Sequence, residues 1–169
     1  PSAPFCDLLR ALKKIHRSFL ENGLFIRGGV AFAAHFRSGN LTYSHALPVA
    51  YALEQQQAVY PRIVIDNNII ELFSGEGKLC SEIAEVAAEK LICVQNGVYF
   101  VNTVYGAEAE YYRLARDIYA NESPFLQGRE HELAKHRWLQ DYILNSSEGG
   151  DLTPYIEPIS LFSPHATTG

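Results

Sequence analysis

His131 and His136, in the run His131-Glu132-Leu133-Ala134-Lys135-His136, are of the residue types found in a zinc-protease helix, where two histidines one turn apart grip the metal and a glutamate serves as general base. The spacing does not suit that chemistry. They stand five positions apart, which sets the rings about 140° apart around a helix, whereas ligands four apart share a face. A solvated helix surface is the expected environment. Gly75-Glu76-Gly77-Lys78 has the look of the end of a phosphate-binding loop, but Leu72 stands where that pattern needs its first glycine and Leu79 where it needs Ser or Thr. Ser44 adjoins His45, yet a nucleophile and its base also need an orienting acid and an oxyanion hole, so a helix-capping serine is the simpler reading. Cys6, Cys80 and Cys93 are widely separated and include no C-x-x-C pair, so neither a disulfide framework nor a structural zinc site is expected. All three read as reduced thiols.

The elements that must position any such chemistry follow from periodicity. Phe5, Leu8, Leu9, Leu12, Ile15, Phe19 and Leu20 recur at helical spacing with Arg10, Lys13, Lys14 and Arg17 mostly between them, which predicts an amphipathic helix ended by Gly23. Leu24-Phe25-Ile26 then opens a strand expected to run to about Phe36, and Arg37-Ser38-Gly39-Asn40 turns it back on Leu41-Thr42-Tyr43. Pro48 is tolerable in the first turn of the next helix, which Tyr60-Pro61 ends. The β-branched run Arg62-Ile63-Val64-Ile65-Asp66 reads as a central strand closed by Asn67-Asn68, followed by a polar connection. Gln95-Asn96-Gly97 marks a hairpin between Leu91–Val94 and Val98–Val101. Helices of about 107–119 and 129–144 come next, then a Pro-rich extended tail over 146–169.

With 169 residues, 47% apolar and 20% charged, the chain has the make-up of one soluble globular domain. Its net charge of −5 and pI near 5.7 repel a phosphate backbone, so no nucleic-acid partner is expected. The first residues, Pro1 to Leu12, lack the pattern of a secretory signal, and no run approaches the roughly 20 apolar residues of a membrane span. A cytoplasmic protein with no membrane association is the expectation. The element order suggests an α+β domain of ferredoxin-like order, an antiparallel sheet with helices on one face and further helices at the C-terminus.

Four stretches carry a resemblance. Leu24-Phe25-Ile26-Arg27-Gly28-Gly29-Val30, Gly39-Asn40-Leu41-Thr42-Tyr43, Ala50-Tyr51-Ala52-Leu53-Glu54 and Ala58-Val59-Tyr60-Pro61-Arg62-Ile63-Val64-Ile65 together resemble the latter half of the pyrimidine cyclases of the Pycsar anti-phage defence system. Gly97-Val98-Tyr99-Phe100-Val101, and Lys135-His136-Arg137-Trp138-Leu139 with Tyr142 and Asn145, are similar to that family's closing hairpin and final helix. The likeness covers residues from about 5 to 145, and its most specific part is "A-Y-x-L-E" followed closely by "Y-P-R-I".

This resemblance implies the C-terminal portion of a class III nucleotide cyclase core. Such enzymes convert a nucleoside triphosphate, here UTP or CTP, to the 3′,5′-cyclic monophosphate and pyrophosphate with Mn2+ or Mg2+, as a homodimer with shared active sites. The family's two metal-binding aspartates belong to strands that would lie upstream of Pro1, so no metal ligand is assigned within the sequence. Pro48 and Ala52 occupy the positions where adenylate and guanylate cyclases carry a ribose-orienting Asn and a transition-state Arg, Ser44-His45 replaces a Gly-Pro, and Ala33 replaces a glycine. In this scheme Arg62 is the catalytic candidate, aimed at the leaving phosphates, with a structural contact to the preceding helix as its alternative. Arg27, Tyr43 and Tyr51 are the nucleotide-binding candidates. A guanidinium at Arg27 can grip a triphosphate bidentately or form an ion pair, and the tyrosines can meet a pyrimidine ring or simply pack. Glu54 reads as a partner for a neighbouring cation. A degenerate cyclase-like module that binds nucleotide or protein without catalysis is the alternative for the whole chain.

Overall fold

The computed structural model describes residues 4–74, 82–147, 150–158 and 160. Gly75-Glu76-Gly77-Lys78 and Cys80 lie outside them. Helix α1 spans Pro4–Glu21 and strand β1 Gly28–Val30; β2 (His35–Ser38) and β3 (Leu41–Ser44) form a hairpin before α2 (Ala46–Gln56). Strand β4 (Ile63–Ile65), helices α3 (Asn67–Ser74) and α4 (Ile83–Ala88), and the β5 (Ile92–Gln95) and β6 (Val98–Val101) hairpin follow. Helices α5 (Glu108–Glu122) and α6 (Glu130–Ser146) end the regular structure, joined through a short 3-10 turn.

The main sheet has the order β1-β4-β6-β5. The expected all-antiparallel sheet is corrected: β1 and β4 pair parallel, and only the β4–β6 and β6–β5 pairs are antiparallel. The cause is the crossover through α2, which returns the chain to the same end of the sheet and so aligns the two strands in one direction. Helices also cover both faces rather than one. Ile63 and Ile65 cluster with Phe5 and Leu9 of α1, while Val64, pointing the other way, clusters with Leu53 of α2. Phe100, paired with Val64 across the sheet, meets Trp138 and Tyr142 of α6 on that second face.

Two features of β1 explain why the strand expected over Leu24–Phe36 shrinks to three residues. A side chain at Gly29 would come within 2.3 Å of the Ala50 carbonyl oxygen, so glycine is what lets α2 lie directly on the sheet. Beyond Val30 the chain leaves the core, and all of β2 is exposed, with no buried face to hold it in the main sheet. The second hairpin matches its sequence signal: Asn96 and Gly97 have φ of 52° and 76°, the positive pair that a type I′ turn requires. Asn67 and Asn68 do not end β4 in a loop but open α3, because Asp66 accepts the Asn68 amide at 3.1 Å and thereby caps the helix. The tail docks on the helices, with the Tyr155 and Ile156 amides both donating to Gln140 Oε1 at 2.8 Å.

Helix α1 is capped from a distance. The Phe5 and Cys6 amides donate to the Glu82 carboxylate at 3.0 Å each, and Glu82 is buried, so an acidic group from a remote segment satisfies donors that the helix cannot satisfy itself. Arg10 adds ion pairs to Glu85 on α4 and to Glu89 just past its end. Glu82→Ala is expected to lower the unfolding free energy by about 1–2 kcal/mol in a denaturant titration, the usual scale of a lost cap, with Glu82→Gln intermediate because it keeps one acceptor oxygen.

Candidate functional site

The parallel register Gly28↔Ile63 sets Arg27 and Arg62 at the same end of adjacent strands, with the Gly28 amide donating to the Arg62 carbonyl at 3.2 Å. Their side chains meet different surroundings. Arg62 is only 7% exposed. Its guanidinium lies 5.3 Å from the Phe100 ring centre and 5.7 Å from those of Tyr60 and Trp138. Nη2 donates to the Gln57 carbonyl at the end of α2 at 3.1 Å, and Nη1 donates to Gln95 Oε1 on β5 at 3.3 Å. Nε has no partner, and no ion pair among the described residues includes this side chain. Burial pushes its pKa below the ordinary value, yet a guanidinium stays charged, so three aromatic faces stand in for a carboxylate.

This box is closed by stacking and by α1. Tyr60 and Trp138 lie parallel at 5.4 Å, and Trp138 Nε1–H donates to the same Gln95 oxygen at 3.0 Å. A tight turn at Pro61 brings the Arg62 amide 2.7 Å from the Tyr60 carbonyl. The Pro61 carbonyl in turn accepts from His16 Nε2 at 3.2 Å, while Tyr111 Oη donates to His16 Nδ1 at 3.3 Å. The Pro61 carbonyl requires the proton on Nε2, and burial, which holds the His16 pKa below the usual value, favours the neutral ring whose Nδ1 accepts from Tyr111.

Arg27 is half-exposed and ion-paired with Glu54 of α2. It borders a cleft of about 280 Å³ that also takes in Phe25, Tyr60 and Lys135. Tyr43 packs edge-on against His45 at 4.8 Å on the exposed hairpin, and Tyr51 projects from α2 with 65% of its surface exposed. Neither tyrosine borders the Arg27 cleft. The structure thus brings together the two arginines by backbone register and leaves the two tyrosines on an outer surface. Ser44 supplies a turn bond, accepting the Ala46 amide at 3.3 Å.

Sequence reasoning missed Gln95, Trp138 and Phe100 as partners of Arg62, because their spacing along the chain gives no hint of convergence. His136, expected in solvent, is buried: its Nε2 meets Glu122 Oε2 at 2.9 Å between the rings of Phe25 and Tyr119. No group of three His, Cys, Asp or Glu residues among those described is placed to hold a metal ion. Asp66, buried at the end of β4, spends its carboxylate on Asn68. The described residues therefore supply no cluster of that kind. Burial also pushes the Cys6 thiol up to about 11 and raises that of Cys93, which leaves both poor nucleophiles at neutral pH. No helix is long and apolar enough to cross a membrane among the described residues.

No family model, curated protein or solved structure matches the chain. What the structure defines is an α+β domain with a mixed four-stranded sheet and C-terminal helices.

Two outcomes follow from this geometry. Arg62→Ala is expected to cost about 2–4 kcal/mol of stability in denaturant unfolding, since it opens a cavity among three rings and strands the Gln57 carbonyl. For His16 the folded pKa is depressed, so its contribution is complete above the unfolded value of about 6.5 and is lost as pH falls toward the folded value, where only the unfolded chain takes up the proton. Thermal midpoints measured between about pH 7.5 and about pH 5 are expected to fall more steeply for the wild type than for His16→Gln.

Proposed function

We propose that the chain forms the later half of a class III nucleotide cyclase domain that converts a pyrimidine nucleoside triphosphate, UTP before CTP, to its 3′,5′-cyclic monophosphate in anti-phage signalling. The observation that carries this reading is the side-by-side register of the Arg-Gly-Gly and Tyr-Pro-Arg-Ile strands, which gathers Arg27 and Arg62 at one end of the sheet. In the reaction the ribose 3′-oxygen attacks the α-phosphorus, the hydroxyl gives up its proton, and the bond to pyrophosphate breaks. Arg27, half-exposed beside a cleft that also holds Lys135, is the group able to exchange its carboxylate partner for a phosphate. Arg62, enclosed by aromatic rings, acts as a positioning residue for Tyr60 and the end of α2. A divalent cation for this reaction has to be held by residues other than those described.

A homodimer with shared sites belongs to the same proposal. Phe36 and Tyr43, paired across the hairpin, and Leu47 and Tyr51, one turn apart on α2, are all more than half exposed, which is the kind of apolar surface that partners cover. A second reading, a cyclase-like module without catalysis, is favoured by one observation: the Arg62 guanidinium is buried among aromatic rings with both terminal nitrogens bonded within the chain.

The deciding assay incubates the full-length protein with each of the four nucleoside triphosphates and Mn2+ or Mg2+. Cyclic UMP is the expected product, and Arg27→Ala is expected to lose most of the rate, on the order of a hundredfold for a lost phosphate contact. Absence of any cyclic product with either metal would overturn the cyclase reading in favour of the module.

A further inference from the structure

The segment that follows α6 sits on the helices as a bound peptide would. Helix α6 ends at Ser146, yet Tyr155 meets Gln140, so the chain reverses and runs back along the helix, with Gly150 in the reversal at a φ of 67°. Residues 151–158 form no helix or strand, and no backbone–backbone bond among the described residues ties them to the rest. Side chains hold their backbone instead. The Tyr155 and Ile156 amides both donate to Gln140 Oε1 at 2.8 Å, and the Thr153 carbonyl accepts from Tyr112 Oη of α5 at 2.8 Å.

Leu152 and Tyr155 pack against the core cluster of α5 and α6 and Ile156 is buried, while Thr153, Pro154, Glu157 and Pro158 are exposed. The Tyr155 ring lies 5.5 Å from that of Tyr112 and 5.8 Å from that of Tyr119. Fixed side chains that bond the main chain, with separate places for chosen side chains, are how a groove reads an extended peptide, and the two prolines keep the segment from forming structure of its own. The fit has one defect. Tyr155 Oη is buried without a partner, a desolvation cost that release to water removes.

We infer that the α5–α6 face is a peptide groove filled by exchange, in which residues 151–158 leave the groove of their own chain and occupy that of a second copy, joining two chains by their tails. A second copy is the occupant because its segment has by identity the chemistry that the groove is seen to accept. Straightening the reversal at Gly150 breaks no helix or sheet bond and leaves every groove contact to be remade in the partner. The inference stands apart from the cyclase reading, since it uses neither arginine and no residue of the β2–β3 hairpin or α2.

A labelled peptide of residues 151–158 is the probe, and every protein tested is the full chain. Tyr155→Ala combined with Ile156→Ala empties the groove without altering its walls. This chain is expected to bind the peptide saturably in fluorescence anisotropy, about tenfold or more tighter than the wild type, whose own segment competes. Adding Gln140→Ala is expected to weaken that binding by about tenfold or more, because two amides lose their acceptor. Gln140→Ala alone frees an intact segment, so that chain is expected to displace the peptide from the emptied groove. In the wild type, the Tyr155 and Ile156 amides are expected to exchange with deuterium about tenfold or more faster than those of Leu139 and Ile143, a readout that holds even if the double variant does not fold. Exchange of all four amides together overturns the inference. So does a folded, emptied chain that binds no peptide or binds it no better than the wild type, or binding indifferent to Gln140→Ala. Peptide binding that the Gln140→Ala chain fails to displace overturns the second copy as occupant and assigns the groove to another protein's segment.

Discussion

A buried guanidinium without a carboxylate partner among the described residues is the constraint around which the rest of this domain is arranged. Taking a cation out of water costs several kcal/mol even after relaxation, whereas one desolvated cation–π contact returns about 2 kcal/mol. Arg62 needs its three rings and two carbonyl acceptors together to come near balance. Each of those partners belongs to a different element: Gln57 follows α2, Gln95 ends β5, Phe100 lies on β6 and Trp138 on α6. Helix α1 joins through His16 and the Pro61 carbonyl. One side chain therefore ties the second face of the sheet to four elements, and the neutral histidine ties in the first.

The sheet can bear helices on both faces because β4 is apolar throughout. Ile63, Val64 and Ile65 are all buried, so alternation delivers apolar side chains to α1 on one side and to α2 on the other. Gly29 lets α2 approach, and the same approach brings Glu54 to Arg27. Packing and electrostatics are linked at this point, since the close helix that glycine permits is what pairs the exposed arginine.

The two arginines consequently divide the functional possibilities. Arg27 is held by a single ion pair at a partly solvated surface, an interaction worth little in water and easily exchanged for another anion. Arg62 is held by everything around it. Chemistry that requires a cation to reach a ligand belongs with the first. Chemistry that requires a fixed hydrogen-bonding frame belongs with the second, which the Gln57 carbonyl and Gln95 Oε1 hold in place.

The amino-acid sequence by itself determined the local elements whose cause is local. Asn96-Gly97 specified the hairpin because both positions must take positive φ, and the helical periodicities of α1, α5 and α6 placed those helices to within a few residues. Arg27 and Arg62 were also legible as candidates, being cations in apolar strands. Only the tertiary structure decided what those cations do. The parallel pairing of β1 with β4, the burial of His136, the remote capping of α1 by Glu82 and the box around Arg62 all join residues distant in the chain. Their free energy comes from desolvation and from long-range partners, neither of which is encoded in the periodicity or the spacing of a single segment.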